Sequence, residues 1–323
     1  MVLNNIAGIL RNGKRFFLAS HVYPDGDAIG SILALGETLM LSGKEILLFN
    51  EGPIPDSLSS LKGIGEIAKD FNQESAFDAF LILDCGNLDR VGRISSHLSK
   101  LRPLINIDHH ESNSRFGDLN LVDANSSSVG EIVYRLIKTA HLPMNLNVAE
   151  NIFVAVQTDT GSFKYENTTR EAFNIAGEML EWGVSPWKIS RKVMDEYTLN
   201  RLRLLESSLK TLELYHEGNV GLITITKQML LKAKADNFDS ERFVNYPRFI
   251  TGVEIAALIR EIGKNCYKFS LRSNDQVNMA DLASYFGGGG HPRAAAFTRE
   301  GSLESVKQEF LNKTLELLGN VSS

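Results

Sequence analysis

Residues 15–31 read RFFLASHVYPDGDAIGS and decide the fold of the first half of the chain. The apolar run RFFLAS is typical of a buried strand, and the polar loop after it carries His21, Asp25 and Asp27. A helical pattern follows and ends at Gly43, because glycine commonly terminates helices. The stretch therefore predicts a strand, a loop rich in acids and histidine, and a helix, which together form the repeating unit of an α/β sheet.

Three further strand-like runs lie downstream: EILLFN at 45–50, DAFLILD at 78–84 and RPLINID at 102–108. Because they alternate with helical patterns, they predict a mostly parallel sheet flanked by helices. From about 127 to 214 the apolar residues recur three and four positions apart, which predicts helices. Strand and helix patterns are mixed after that, which indicates a smaller α+β module.

The expected domains are therefore 1–190, an α/β domain, and 216–323, a smaller α+β domain. A helical linker is expected at 191–215. A chain of 323 residues is long enough for two hydrophobic cores.

Composition excludes several classes of function. The net charge is −5 and no run of Lys or Arg occurs, which argues against a grip on long nucleic acid. No stretch of eighteen apolar residues is present, so no membrane span is expected. Cys85 and Cys266 lack the spacing of metal ligands, and a reducing cytoplasm is the expected location.

Acids and histidines recur where the predicted strands of the first domain end. Ligands of parallel α/β sheets bind beyond the carboxyl ends of the strands, so these segments are expected to meet at one edge. Carboxylates and imidazoles together suit manganese, with iron or zinc as alternatives, and two divalent ions would neutralise the clustered acids. The loop residues His21, Asp25 and Asp27 are joined in this pattern by Asp84, Asp108, His109, His110 and Asp159.

Five motifs together resemble a known family. HVYPDGDAIGS (21–31), LILDCGN (81–87), IDHH (107–110) and TDTGSF (158–163) resemble the four motifs of the DHH phosphoesterase superfamily. FGGGGHPRAAAF (286–297) resembles the signature of its C-terminal DHHA1 domain. The size of the chain is similar to that of the nanoRNase or pAp-phosphatase branch. The resemblance implies that domain 1–190 holds the catalytic metal site, that domain 216–323 binds substrate, and that the active site lies in the cleft between them.

The resemblance implies a role for each matching position. His21 and Asp25 would bind one Mn²⁺, while Asp27, His109 and Asp159 would bind a second. Asp84 would bridge the two ions, for which Mg²⁺, Fe²⁺ or Co²⁺ are expected substitutes. His110 would face the substrate phosphate as a catalytic residue, and Asp108 would orient the histidines.

The same resemblance implies a substrate-binding set in the second domain. Glycines tolerate positive φ and allow consecutive N–H groups to approach an anion, and a following His and Arg add charged donors. The expected set is Arg272, Ser273, Gly287, Gly288, Gly289, Gly290, His291 and Arg293.

The expected activity is hydrolysis of short oligoribonucleotides to 5′-mononucleotides, removal of the 3′-phosphate from 3′-phosphoadenosine 5′-phosphate (pAp), or both. A phosphodiesterase for cyclic or linear dinucleotides is the alternative, because it would need the same metals and the same glycine turn. A catalytically silent nucleotide-binding regulator is an alternative of another class. Short RNA, pAp and dinucleotides are the expected partners, and a homodimer is left open.

Overall fold

The computed structural model describes residues 1–71 and 76–321, which form two compact units, Met1–Glu196 and Tyr197–Ser323. The unit boundary differs from the expected domain limits. The helix at Leu199–Leu209, expected in the linker, packs within the second unit. Its side chains Leu204 and Leu205 are buried in a core of that unit, because its apolar face needs a partner.

The first unit contains a sheet of five parallel strands in the order β2-β1-β3-β4-β5. The predicted parallel sheet is thus confirmed. Strands β3 and β4 are buried along their whole length, which explains their continuous apolar sequences. The strands are β1 (Arg15–Ala19), β2 (Glu45–Phe49), β3 (Ala79–Leu83), β4 (Leu104–Asp108) and β5 (Leu119–Val122).

Seven helices accompany this sheet in the described part of the unit. They are α1 (Val2–Asn12), α2 (Gly26–Leu41), α3 (Ser95–Leu98), α4 (Val129–Ala140), α5 (Leu146–Asp159), α6 (Arg170–Glu181) and α7 (Pro186–Ser190).

Helices α2 and α5 pack unusually closely, and glycine makes this possible. A Cβ atom at Gly30 would lie 2.5 Å from the carbonyl oxygen of Asn151, and one at Gly26 would lie 2.4 Å from the side chain of Thr158. The start of α2 therefore lies beside the end of α5. This antiparallel packing brings the acidic loop before α2 next to Asp159.

The second unit contains a mixed six-stranded sheet in the order β10-β11-β9-β8-β7-β6. Strands β7 and β8 are parallel, and the other neighbours are antiparallel. Residues 255–263 pair with residues 266–273 as an antiparallel hairpin. The strands are β6 (Glu213–Tyr215), β7 (Val220–Ile225), β8 (Ile255–Gly263), β9 (Cys266–Ser273), β10 (Gly289–His291) and β11 (Ala294–Glu300).

The second sheet has a hydrophobic core on each face. One core contains Phe269, Leu271 and Phe310, and the other contains Leu204, Phe243 and further residues. No helix in the described ranges is long and apolar enough to cross a membrane. The helices are α8 (Leu199–Leu209), α9 (Lys227–Ala233), α10 (Asn245–Arg248), α11 (Met279–Tyr285) and α12 (Leu303–Val321).

Candidate metal centre

Acids and histidines from four separate segments of the first unit meet beyond the carboxyl ends of β1, β3 and β4. They form three groups within which the candidate ligand atoms lie no more than 4.8 Å apart. All six residues expected to bind metal belong to these groups. The groups are His21 with Asp25 and Asp84, Asp27 with His109 and Asp159, and Asp84 with His109 and His110.

His109 lies at the centre of the cluster. Its Nε2 atom is 3.6 Å from Asp159 Oδ2, 3.9 Å from Asp27 Oδ2 and 4.0 Å from Asp84 Oδ1. On the other side of the ring, Nδ1 lies 3.2 Å from the carbonyl oxygen of Ser126. A proton on Nδ1 donates to that carbonyl, so Nε2 is the atom directed at the acids.

Asp27 is held by the start of a helix that is distant in sequence. Its carboxylate accepts hydrogen bonds from the backbone N–H groups of Val129 and Gly130, at 2.7 and 2.9 Å, and from the hydroxyl of Ser31 at 3.0 Å. The positive end of α4 therefore points at a buried carboxylate and stabilises its charged form. Asp25, in contrast, caps its own helix by accepting from Asp27 and Ala28.

Asp84 belongs to two of the three candidate metal-binding groups. Its Oδ2 atom lies 3.5 Å from His21 Nε2, and its Oδ1 atom lies 3.6 Å from His110 Nδ1. The backbone at Asp84 has a φ of +53°, a left-handed conformation that Asp and Asn adopt more readily than most side chains do. His21 Nδ1 is buried and has no hydrogen-bond partner among the described residues.

The cluster has strongly perturbed acid–base properties. Burial, with the charges of Asp84 and others, raises the pKa of Asp27 well above its ordinary value, and burial raises the pKa of Asp159 to about 7. Burial opposes protonation of His109, but the surrounding carboxylates prevail and raise its pKa to about 9. Burial likewise acts against ionisation of Asp84, but contact with His21 and the other histidines holds its pKa below the ordinary value. These carboxylates require positive charge, which protons or metal ions can provide.

His110 is oriented by Asp108. The His110 Nδ1 atom lies 2.7 Å from Asp108 Oδ1, and Asp108 is fully buried. The hydrogen bond raises the pKa of His110 against the effect of burial. Asp108 is therefore a hydrogen-bond partner of His110, and its role in orienting the ring stays a prediction.

Two asparagines contact acids of the cluster, and neither was predicted from the sequence. Asn113 donates to Asp108 Oδ2 at 2.5 Å, and Asn167 donates to Asp159 Oδ2 at 3.1 Å and to the carbonyl of Ser127 at 2.9 Å. Both lie in loops without a distinctive pattern, so sequence periodicity gave no signal for them. A search for amides just after the IDHH and TDTGSF motifs could have found them.

The expected substrate-binding set of the second unit is only partly brought together. Arg272 lies on the half-buried face of β9, whereas Ser273 is 2% exposed and faces the opposite way. The hydroxyl of Ser273 approaches the carbonyl of Pro292 at 3.4 Å. The expectation that Ser273 contacts substrate is therefore wrong, because successive side chains of a strand alternate between faces. Ser270 shares the face of Arg272 and was missed.

The four consecutive glycines at 287–290 have different structural roles. Gly287 has a φ of +79°, and its N–H and that of Gly288 bond to carbonyls at the end of α11. A Cβ atom at Gly288 or Gly290 would lie 2.2 or 2.5 Å from a carbonyl oxygen of β11. At Gly289 no atom lies within 4 Å of such a Cβ. The same holds at Gly287, so Gly287 and Gly289 are the positions of this run at which a ligand could approach the backbone.

His291 and Arg293 flank the turn between β10 and β11. His291 pairs with Ala294 in the sheet, so it lies on the face of Arg272. The Arg293 guanidinium donates to the backbone carbonyl of Asp275 and lies 3.7 Å from its carboxylate. Arg293 thus fastens this turn to the segment after β9, which gives it a structural role that the sequence did not reveal.

Comparison with known proteins follows the two units. The model of the DHH family N-terminal domain matches residues 15–156, and that of the DHHA1 domain matches residues 222–320. A bifunctional oligoribonuclease and PAP phosphatase NrnA from Thermus thermophilus is 31% identical over 302 residues, covering 91% of this chain and 89% of its own length. The chain belongs to the DHH family.

Two other similar proteins support the same family assignment. A bifunctional oligoribonuclease and PAP phosphatase NrnA from Bacillus subtilis is 27% identical, covering 86% of this chain and 87% of its own length. The crystal structure of an exopolyphosphatase-related protein from Bacteroides fragilis superposes with a TM-score of 0.90 at 31% identity, covering 98% of this chain and 97% of that one. The family and the two-unit fold expected from the motifs are thus confirmed.

Proposed function

We propose that this DHH protein is a metal-dependent phosphoesterase that hydrolyses short oligoribonucleotides to 5′-mononucleotides and converts pAp to AMP. The observation that carries the proposal is the convergence of acids and histidines from four segments into one buried cluster. The names of the T. thermophilus and B. subtilis relatives support this substrate class. A cytoplasmic location belongs to the proposal and fits two cysteines that form no disulfide.

The residues of the cluster fit two divalent cations, and we assign Mn²⁺ as the metal. His21 and Asp25 would hold one ion, Asp27, His109 and Asp159 the other, and Asp84 would contact both. The donor set of carboxylates and imidazoles suits Mn²⁺, and the raised pKa values of Asp27 and Asp159 reflect carboxylates that lack sufficient positive charge. Two bound metals would supply Lewis acidity and an activated water.

The protein's own groups orient the phosphate. His110 is held through its Nδ1 atom by Asp108, so its Nε2 atom would be the one to donate a hydrogen bond to a phosphoryl oxygen as negative charge develops there. Asp108 keeps the ring in position, and Asn113 keeps Asp108 in position. The burial of Asp27, Asp84 and Asp108 lowers the local dielectric constant, which strengthens these interactions.

Substrate binding is assigned to the second unit. Arg272 and His291 on one face of the sheet are suited to a phosphate, and the open space beside Gly289 admits close approach. Arg293 would support this region through its contacts with Asp275. The first unit would thus carry out the chemistry, and the second unit would select the substrate.

The test is a panel of substrates incubated with Mn²⁺: pAp, 5′-pApA, an RNA pentamer, cyclic di-AMP and cyclic di-GMP. Wild-type protein is expected to release 5′-mononucleotides from the RNAs and phosphate from pAp, and to lose activity in EDTA. Metal content, measured by elemental analysis, provides a readout that does not depend on turnover.

The panel also separates the alternatives. Turnover confined to the cyclic dinucleotides would replace the proposal with a dedicated cyclic-dinucleotide phosphodiesterase. Binding of nucleotides without any turnover, in protein with two bound Mn²⁺, would indicate a silent regulator.

A further inference from the structure

One face of the second sheet carries a row of basic residues, and the proposed function assigns a role to Arg272 but none to Lys268. Residues of β9 alternate between faces: Tyr267, Phe269 and Leu271 enter a hydrophobic core, whereas Lys268 and Arg272 lie on the half-buried face, as does Ser270. Lys268 is therefore on the same face as Arg272 and is the next basic residue along the strand.

The floor of this face is made of small side chains. On one side of Ser270 the register pairs it with Ala296 of β11, and Ala296 in turn pairs with Gly289 of β10. Arg272 likewise lies beside Ala294. Because small residues fill the space between the cations, an extended chain can lie close to the backbone of the sheet. No Phe, Tyr or Trp lies among these paired positions, which favours contacts with the backbone of a ligand over contacts with its bases.

Lys268 lies between Thr298 of β11 and Arg260 of β8. Like charges directly opposite each other on antiparallel strands are destabilising. Burial and the neighbouring Arg260 both lower the pKa of Lys268. Within the ranges that the structure describes, the ammonium group of Lys268 makes no hydrogen bond or ion pair. A half-buried cation beside a second cation is a suitable receptor for an anion.

Arg260 donates hydrogen bonds to two neutral groups. Its Nη1 atom donates to the carbonyl oxygen of Asn237 at 2.8 Å and to the hydroxyl of Ser240 at 3.1 Å. These contacts hold the Arg260 guanidinium on the strand position that pairs with Lys268.

We propose that Lys268, with Arg260 and the hydroxyl of Ser270 beside it, binds a phosphate of an oligoribonucleotide further along the strand than the phosphate at Arg272. Lys268 lies four positions before Arg272, or about 13 Å away along β9. This spacing exceeds one nucleotide step, so pAp reaches only one of the two positions. The inference rests on the proposed function, because it assumes that the ligand is RNA.

The experiment measures binding of a fluorescein-labelled RNA pentamer in EDTA, by anisotropy, so that no hydrolysis is needed. Lys268→Met removes the charge but keeps an apolar stem, and Lys268→Arg retains the charge. Lys264→Met is the matched control, because Lys264 is exposed in the turn between the same two strands. Thermal unfolding of each variant verifies that it folds.

Lys268→Met is expected to weaken pentamer binding about five- to tenfold, and to reduce the slope of log affinity against log salt by about 0.7. Lys268→Arg and Lys264→Met should bind within twofold of wild type. A5 and U5 should show the same loss, because the phosphates carry the interaction. Equal pentamer binding by Lys268→Met and Lys264→Met would overturn the inference.

Hydrolysis assays distinguish this failure from failure of the proposed function. If the proposed function holds, Lys268→Met should lower kcat/KM on the pentamer and leave kcat/KM on pAp within twofold. Equal losses on both substrates would overturn the separate phosphate position. Absence of wild-type turnover on both would overturn the proposed function, while the binding experiment would still decide the role of Lys268.

Discussion

At the scale of single residues, Asp84 meets two constraints at once. Its backbone adopts a left-handed conformation, and its carboxylate contacts His21 and His110 from a buried position. Few other residues satisfy both, since most side chains are strained at a positive φ. Asp84 is consequently the residue whose loss should separate folding from metal binding most clearly.

We predict that Asp84→Asn abolishes nearly all activity and at least one equivalent of bound Mn²⁺ while the protein stays folded. Asn tolerates the backbone conformation but provides no charge for two cations. Elemental analysis, circular dichroism and turnover of pAp are the measurements. The control is Asp89→Asn, because Asp89 is exposed just beyond the same strand. Two bound metals and substantial turnover in Asp84→Asn would contradict the proposed bridging role.

A second prediction at this scale concerns pH. In metal-free protein the pKa of Asp159 is raised to about 7 and that of His109 to about 9. Both groups bind protons more tightly in the folded than in the unfolded state, so their contribution to stability is lost as pH rises through these values. Mn²⁺ must displace these protons, so its affinity should rise with pH and its binding should release protons.

Calorimetric titration of Mn²⁺ in two buffers of different ionisation enthalpy measures the proton release. Thermal midpoints with Mn²⁺ and with EDTA give the stabilisation, which should be larger at a pH of about 8.5 than at about 6. A stabilisation that is equal or smaller at the higher pH would show that the cluster does not exchange protons for metal.

Single residues also show where sequence reasoning reached its limit. His21, Asp84 and His109 could be predicted because each lies at the end of a readable strand, and parallel strands bring their carboxyl ends to one edge. Ser273 was misassigned because a motif does not reveal which face of a strand a residue occupies. Asn113 was missed because its role depends on a loop returning to Asp108.

At the scale of elements, the packing of α2 against α5 determines where the candidate ligands lie. Asp27 lies in the first turn of one helix and Asp159 ends the other, and their separation depends on how closely the helices approach. The approach depends on Gly30, where a side chain would meet the backbone of Asn151. Part of the metal site is therefore controlled from several residues away.

We predict that Gly30→Ala weakens Mn²⁺ binding and lowers the free energy of unfolding by about 1–3 kcal/mol, because the added Cβ forces the helices apart. Isothermal titration and chemical unfolding measure the two effects. Gly177→Ala in α6 is the control, since a Cβ there meets no atom within 4 Å. Unchanged metal affinity in a destabilised Gly30→Ala would show that the ligands are positioned independently of this packing.

Four of the five strands of the first sheet could be read from the sequence, whereas several elements of the second unit, such as β6, β10 and β11, could not. Two of the differences are informative. Strand β5 was not predicted because LNLV is short and each of its residues is only half-buried. Helix α8 was predicted as a helix but assigned to a linker. Its amphipathic pattern could not show that Leu204 would be buried in a hydrophobic core of the second unit.

At the scale of the whole molecule, charge and size favour short substrates. The chain carries a net charge of −5, so a long polyanion is repelled by most of its surface and attracted only by local basic faces. The row from Arg272 to Lys268 spans one strand, which limits the number of phosphates that can be held together.

We predict that catalytic efficiency is greatest for RNA of about five nucleotides or fewer. The measurement compares kcat/KM on RNAs of two, five and twenty-four nucleotides at one salt concentration. The expected order places the 24-mer last by about tenfold or more, because it adds repulsion without adding contacts. Equal or higher efficiency on the 24-mer would favour a processive exonuclease instead.

The wide spacing of the candidate ligands along the chain has a consequence for biosynthesis. His21 leaves the ribosome roughly ten seconds or more before Asp159, at ordinary rates of elongation. The nascent chain can therefore offer only an incomplete coordination shell until α5 has been made and has docked on α2. If the cluster binds metal as proposed, tight metal capture would coincide with completion of the first unit, so occupancy by the metal would report that synthesis and folding of that unit have finished.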